Sequence, residues 1–299
     1  MLLTELLSLY VSKRLKGKSP NTVRLYRHAI RSFAITLSRQ PTMADLTDEE
    51  VERHMWRIVQ SGGSPASANK DHGQLTALWR FASHNRMLDT WPNVRTMQEV
   101  ERVPMGWLPG EVHRLFAAIK LEPGTIGTVK ANLWWEALIL VLLDTGERIG
   151  AIRGLLHEHV QGDWLLVPAR LRKGNRRDRL YKLNDETAEI LKILIESNLE
   201  SDTLFHWDRC ETYIYNRYKA ILRRAKLPDD SRSQFHRLRR TVASAVASVG
   251  GDASAALDHA SPRTTKKYLD PRIVGNVQPS DILANWLRNP PKQDKKKLG

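Results

Sequence analysis

Apolar residues recur at three- and four-residue spacing over most of the chain, a period that predicts a mainly α-helical protein. Leu3, Leu6, Leu7, Tyr10 and Val11 mark a first helix. Ser19-Pro20 supplies a cap and a first-turn proline for a second. Its inner face carries Val23, Tyr26, Ile30, Phe33, Ala34 and Leu37, and its outer face Arg24, Arg27, His28 and Arg31. Thr47-Asp48-Glu49-Glu50 has the form of a capping box for a third helix holding Val51, Trp56 and Val59, which Gly62-Gly63 ends. Ser64-Pro65 opens a fourth, with Leu75, Leu78, Trp79 and Ala82 inward. Four such helices over residues 1–97 predict a small bundle.

The period is lost near Thr96, and Pro104 and Pro109 follow. An interdomain linker is expected at residues 98–106, before a second domain over 107–289. That domain opens with a helix over 111–119 and a glycine-containing loop over 121–128. Residues 131–143 are almost wholly apolar, which predicts a buried central helix too short to span a bilayer. Asp144-Thr145-Gly146 breaks it, and Arg148 stands on the turn into a helix expected to end near Leu156. Trp164-Leu165-Leu166-Val167 and the alternating Arg179-Leu180-Tyr181-Lys182-Leu183 predict two paired strands. Between them lies the basic run Arg172-Lys173-Gly174-Asn175-Arg176-Arg177, with a turn signal at Gly174-Asn175. Further helices are expected from Asn184 or Asp185 to Ile195, over 213–226, over 233–249 with Val242, Ala245, Val246 and Val249 inward, over 252–258, and over 279–287. The Lys-rich tail, 290–299, has the composition of a disordered segment.

Charge narrows the partner. The chain has 299 residues, a formal charge of +14 and nine Trp. So large a basic excess in a globular composition points to a polyanion, most often nucleic acid. The single cysteine, Cys210, excludes an internal disulfide and fits a reducing compartment. No apolar run reaches membrane-spanning length, so no membrane partner is expected. The first residues resemble an amphipathic helix rather than a signal peptide. Arg24, Arg27 and Lys70 fit either phosphate contacts or solvated surface charge.

The chemistry concentrates between Phe235 and Tyr268. His236 and Arg239 are three apart and share a helix face. Ser261-Pro262 begins a helix that would carry Tyr268 two turns in, with His259 just before it. Two imidazoles, a guanidinium and a phenol are thus held on short tethers, and Thr145-Gly146-Glu147-Arg148 adds a second guanidinium. Such a set suits gripping a phosphate and attacking it with a phenol oxygen. Arginine is always charged and forks onto two oxygens. A phenol, with an ordinary pKa of ~10, is acidified by nearby cations. His236 and His259 lack the spacing of metal ligands.

His236-x-x-Arg239, His259 and Tyr268, preceded by Thr145-Gly146-x-Arg148, resemble the tyrosine recombinases: phage integrases and chromosome-dimer resolvases. The likeness runs from about Leu3 to Asp270. It implies a four-helix, SAM-like core-binding domain that clamps one side of duplex DNA, and an α-rich catalytic domain with a small antiparallel β-hairpin. It implies Arg148, Lys173, His236, Arg239, His259 and Tyr268 as catalytic residues, Tyr268 as nucleophile and Lys173 as acid for the leaving 5′ oxygen. Arg172, Arg176 and Arg177, with Arg24, Arg27 and Lys70, are the expected DNA contacts; a solvated basic turn is the alternative for the hairpin. The implied reaction uses no cofactor, metal or small-molecule substrate. It proceeds by a 3′-phosphotyrosine ester and a four-way junction, in a homotetramer joined by exchange of a C-terminal helix such as 279–287. The expected location is cytoplasmic, on the nucleoid. No ~60-residue arm-binding domain precedes the bundle, which suggests a simple recombinase of a mobile element.

Three positions depart from the pattern. Ala151 stands where an acidic residue usually buttresses the first arginine, Arg240 replaces a frequent His, and Asp258 a frequent Gly. Two other functions stay open at this point. A type IB topoisomerase uses similar chemistry as a monomer, usually with lysine where this chain has His236. A DNA-binding regulator that has lost catalysis is the second, to which Ala151 lends weight.

Overall fold

A computed structural model describes residues 1–174, 177–198, 201–259 and 261–275, with positions 280, 283 and 288. The chain divides into two compact units, Met1–Arg102 and a second beginning at Val103.

The first unit packs four helices: α1 (Leu3–Arg14), α2 (Pro20–Leu37), α3 (Asp48–Gln60) and α4 (Pro65–His84). Each of the three predicted caps is made. Ser19, Thr47 and Ser64 accept from the backbone N–H of Asn21, Glu50 and Ser67, filling donors a helix start would otherwise leave open. The core joins Leu3, Leu6, Ile30, Phe33, Leu75 and Trp79. The inner face of α3 differs from expectation. Trp56 is 59% exposed, and His54 and Met55 are buried instead. The buried stripe of α3 runs Val51, Met55, Ile58, and Trp56 falls about 100° off it at 3.6 residues per turn. His54 is accommodated by polar partners: Thr36 Oγ1 at 2.6 Å and Asp71 at 3.2 Å.

The second unit is built around α6 (Ala131–Thr145). Trp134, Trp135, Leu138, Ile139, Val141 and Leu142 are all buried, so this helix is apolar on nearly every side, as an enclosed helix must be. Before it come α5 (Pro109–Lys120) and a two-residue hairpin, β1 (Thr125–Ile126) and β2 (Val129–Lys130); the sequence predicted only a loop there. After it, α7 (Ile149–Ile152) ends earlier than expected. The three-stranded antiparallel sheet has the order β3 (Val160–Gln161), β4 (Trp164–Val167), β5 (Arg179–Lys182). Leu165 pairs with Tyr181 and Val167 with Arg179. The two predicted strands are present, and β3 adds an edge too short to signal itself. α8 (Asp185–Ser197) and α9 (Glu211–Arg224) follow.

α10 (Phe235–Ser248) is pinned to α6 by aromatic stacking. Phe235 lies 4.4 Å from Tyr218 and 6.3 Å from Trp135, nearly parallel to both. Its buried face is Phe235, Leu238, Arg239 and Ala243. The expected inward positions Ala245 and Val249 are exposed, Val249 by 84%; both share the phase of the stripe but lie beyond Ser244, the last buried residue of α10, and Val249 is already the C-cap. α11 (Ala253–Leu257), α12 (Pro262–Lys266) and α13 (Pro271–Val274) complete the described chain. Asn175, Arg176, most of the helix expected over 279–287 and the tail over 290–299 lie outside the described residues.

Candidate active site

Three chain turns converge on α10. The first ends α6. Gly146 closes that helix with φ +61, a left-handed conformation that costs a residue with a Cβ about 1–2 kcal/mol. A Cβ there would also meet Leu257 at 3.0 Å and Val242 at 3.1 Å. The chain then turns through buried Glu147 to Arg148 at the start of α7.

The second turn ends α11. Asp258 is left-handed at φ +52, which explains why glycine suits this position and why aspartate, tolerant of that region, can hold it. His259 follows. Its Nδ1 lies 3.0 Å from Thr265 Oγ1 and its Nε2 3.2 Å from Nη2 of Arg239. Guanidinium only donates, so Nε2 accepts and Nδ1 carries the proton toward Thr265. His259 is therefore neutral, consistent with its pKa being pushed down to about 4 by burial and by Arg239 and Arg148.

The third turn holds Tyr268. It does not ride two turns into a helix, as expected. α12 stops at Lys266, and the Tyr268 N–H closes the final turn onto Thr265 O at 2.8 Å. Both sides of the turn are tied down. Thr265 is buried, and Asp270, fully buried, accepts from Gly106 N at 2.8 Å and from Arg272 at 2.7 Å. Ser244 of α10 donates to Tyr268 O and accepts from Asp270 N.

The expected residues Arg148, His236, Arg239, His259 and Tyr268 come together. The Tyr268 ring lies 5.0 Å from His236, 4.7 Å from His259 and 5.8 Å from the Arg239 guanidinium. Arg239 is 2% exposed. It donates to the carbonyls of Gly146 and Leu257, and so binds the first two turns to α10. Its Nε is buried with no hydrogen-bond partner among the described residues, as is that of Arg240. Arg148 is half-buried, and its charge acts on Arg239, His236 and His259. His236 is exposed at the rim, yet the protein wall behind it and the charges of Arg240, Arg239 and Arg148 push its pKa down to about 4. At neutral pH both imidazoles are free bases inside a ring of guanidinium groups.

Lys173 is exposed in the hairpin turn, and among the described residues no contact joins its ammonium to this cluster. Its neighbour Arg172 differs from expectation. Instead of facing solvent for phosphates, Arg172 is buried, with Nε 2.6 Å from Glu147 and Nη1 2.8 Å from Asp258. Arg177 is exposed but also pairs with Asp258. Arg24, Arg27 and Lys70 are exposed on the first unit. Two participants were missed in the sequence: Glu147, whose burial no local pattern signals, and Arg240, which read only as a replaced histidine.

No curated protein sequence matches the chain. Among solved structures, the fold is similar to a lambda integrase dimer bound to a COC′ core site, with TM-score 0.70, 18% identity, and coverage of 93% of this chain and 79% of that one. It is also similar to the Tn1549 transposon integrase in complex with transposon right end DNA, with TM-score 0.68, 15% identity, and coverage of 97% and 99%. A lambda integrase tetramer bound to a Holliday junction matches with TM-score 0.69 and 18% identity over 91% of this chain and 78% of that chain. At these identities the likeness establishes the fold. The sequence pattern defining the phage integrase family matches residues 109–273, more than half of the chain. That span holds the converged guanidinium, imidazole and phenol groups, and the match shows that the chain belongs to the phage integrase family, the family of the tyrosine recombinases.

Proposed function

We propose that the protein cuts and rejoins duplex DNA at a specific site through a covalent ester between Tyr268 and a DNA 3′ phosphate. The observation that carries this is the Tyr268 phenol set among Arg239, His236 and His259. Arg148 and Arg239 bind the non-bridging oxygens, and charge there stabilises the crowded phosphorus of the transition state. The unpartnered Nε groups of Arg239 and Arg240 are donors suited to the same anion. The Tyr268 oxygen attacks phosphorus as the bond to O5′ breaks. His236, neutral at pH 7, takes the phenol proton. Lys173 gives a proton to O5′.

One phosphate ester replaces another, so the step is close to balanced and runs backward when a 5′-OH attacks. Attack by the 5′-OH of a second duplex exchanges strands and gives a four-way junction. Four protomers on one junction, joined through the C-terminal segment, is the assembly we infer. The first unit, 1–97, would clamp the duplex with Arg24, Arg27 and Lys70, and residues 98–106 would link it to the catalytic unit. The protein would act wherever its target DNA lies. No helix among the described residues is long and apolar enough to cross a membrane.

The test uses a duplex selected from a random library for binding to the full chain, then nicked so that a cleaved strand diffuses away. Wild type should accumulate a protein–DNA adduct stable in detergent, and Tyr268→Phe should bind but form none. Binding without an adduct from wild type would leave only a DNA-binding role. Relaxation of supercoils with no junction product would favour a topoisomerase instead.

A further inference from the structure

Lys173, the proposed acid, stands on a turn with no contact to the other proposed catalytic groups among the described residues. Something must hold that turn in place. We propose that Arg172 is a positioning residue, locked between Glu147 and Asp258, that fixes Lys173 over the scissile phosphate. This inference rests on the phosphoryl-transfer reading above.

The geometry is specific. The Arg172 guanidinium is buried, although it comes from a turn whose next two residues, Lys173 and Gly174, are exposed. Nε donates to Glu147 at 2.6 Å, and Nη1 donates to Asp258 at 2.8 Å and to the Arg177 carbonyl at 3.1 Å. One side chain therefore ties both legs of the hairpin to two distant turns. Glu147 immediately precedes Arg148, and Asp258 immediately precedes His259. Glu147 is 3% exposed and also accepts from the Tyr181 hydroxyl of β5 at 2.8 Å. Asp258 is held again by Arg177. Each member of the lock is thus one residue from a proposed catalytic group: Arg148, Lys173 or His259. A lysine would hold only part of the lock, because its single ammonium cannot fork onto two carboxylates from a fixed plane. The lock also brings the Glu147 carboxylate beside the guanidinium cluster, where Ala151 supplies none; its charge reaches Arg239.

The experiment compares two nicked duplexes, identical except that the leaving 5′ oxygen is replaced by sulfur in one. A thiol has an ordinary pKa of ~8.5 and leaves without a proton, so the sulfur duplex needs no acid. The scissile position is mapped first with wild type. Arg172→Ala should slow adduct formation about 100-fold on the oxygen duplex, and by less than about 3-fold on the sulfur duplex if only the acid step is lost. Arg172→Lys should recover part of the oxygen rate. Glu147→Gln, which keeps the shape of the site, should show the same split in weaker form. Equal slowing on both duplexes would overturn the proposal and leave a general structural role. A lower salt slope of binding without the oxygen–sulfur split would overturn it in favour of a phosphate contact. Wild type inactive on both duplexes would instead sink the phosphotyrosine reading itself. Heat-unfolding curves separate a misfolded Arg172→Ala from a mispositioned one, and the Glu147→Gln pair then decides.

Discussion

Arg239 donates to His259 through Nη2 at 3.2 Å, and it is His259 Nε2 that accepts. The imidazole thus acts first on the arginine, not on a phosphate. A neutral ring accepting from a buried guanidinium fixes the fork's direction, and Thr265 fixes the ring in turn at 3.0 Å. Hydrogen bonds to buried charged groups contribute about 1.5–3 kcal/mol. His259→Ala should therefore slow adduct formation by about 10- to 150-fold while duplex affinity changes little. Thr265→Val should show a smaller loss of the same kind. Single-turnover cleavage of the nicked duplex measures both; a loss of affinity matching the loss of rate would contradict the orienting role.

Proton linkage gives a second expectation. His236 and His259 both have pKa values near 4, depressed by burial and by surrounding arginines, against ~6.5 in an unfolded chain. Between those values the unfolded chain binds more protons. The two rings therefore contribute stability that is complete above pH ~6.5 and lost as pH falls toward 4. A bound phosphate reverses the local field and raises both pKa values. Duplex binding at pH 6 should then take up protons, readable by calorimetry in two buffers of different ionisation heat. His236→Gln with His259→Gln should abolish most of that uptake.

Much of this was legible in the sequence, for a reason of scale. His236, Arg239, His259 and Tyr268 sit within one short stretch, where caps and helix phase suffice to bring side chains near one another. Glu147, Arg172 and Asp258 meet across 25 and 86 residues, and no local periodicity encodes that pairing. Trp56 misled because residue type outweighed helix phase. Tyr268 misled differently: Ser261-Pro262 does start a helix, but buried Asp270 caps a new one before a second turn can form. Ala151 leaves its position without a carboxylate, and the buried carboxylate near the cluster is that of Glu147, which accepts from Arg172 and Tyr181 and whose charge acts on Arg239.

Gly146 offers a stability test with a functional edge. Its φ of +61 and the 3.0 Å approach of Leu257 both oppose a side chain. Its carbonyl accepts from Arg239. Gly146→Ala should destabilise the second unit by about 1–3 kcal/mol, lowering its melting temperature by about 2–10 °C for a domain of this size. Cleavage should fall further than the unfolded fraction accounts for, because the displaced carbonyl releases one arm of Arg239. Gly162, also left-handed at φ +62 but with open space around a built Cβ, is the control: Gly162→Ala should cost about 1 kcal/mol with cleavage unchanged.

The exposed cations of the first unit lead to a prediction of a different kind. Arg24, Arg27 and Arg31 lie exposed along α2 and Lys70 along α4. None of the four forms an ion pair among the described residues, so each is available to a phosphate. A cation on a phosphate displaces about one condensed counterion, and log affinity falls linearly with log salt. Each of Arg24→Gln, Arg27→Gln and Lys70→Gln should lower that slope by about 1 if its side chain sits on a phosphate, with affinity for every sequence reduced alike. A purely solvated side chain would leave the slope untouched. Glu52→Gln, on the exposed face of α3, serves as the reference, since it removes a charge of the opposite sign; it should leave the slope unchanged. Titrations of a labelled duplex at four salt concentrations separate these cases one residue at a time, and the set of residues that move the slope would define the path of the DNA backbone over this unit.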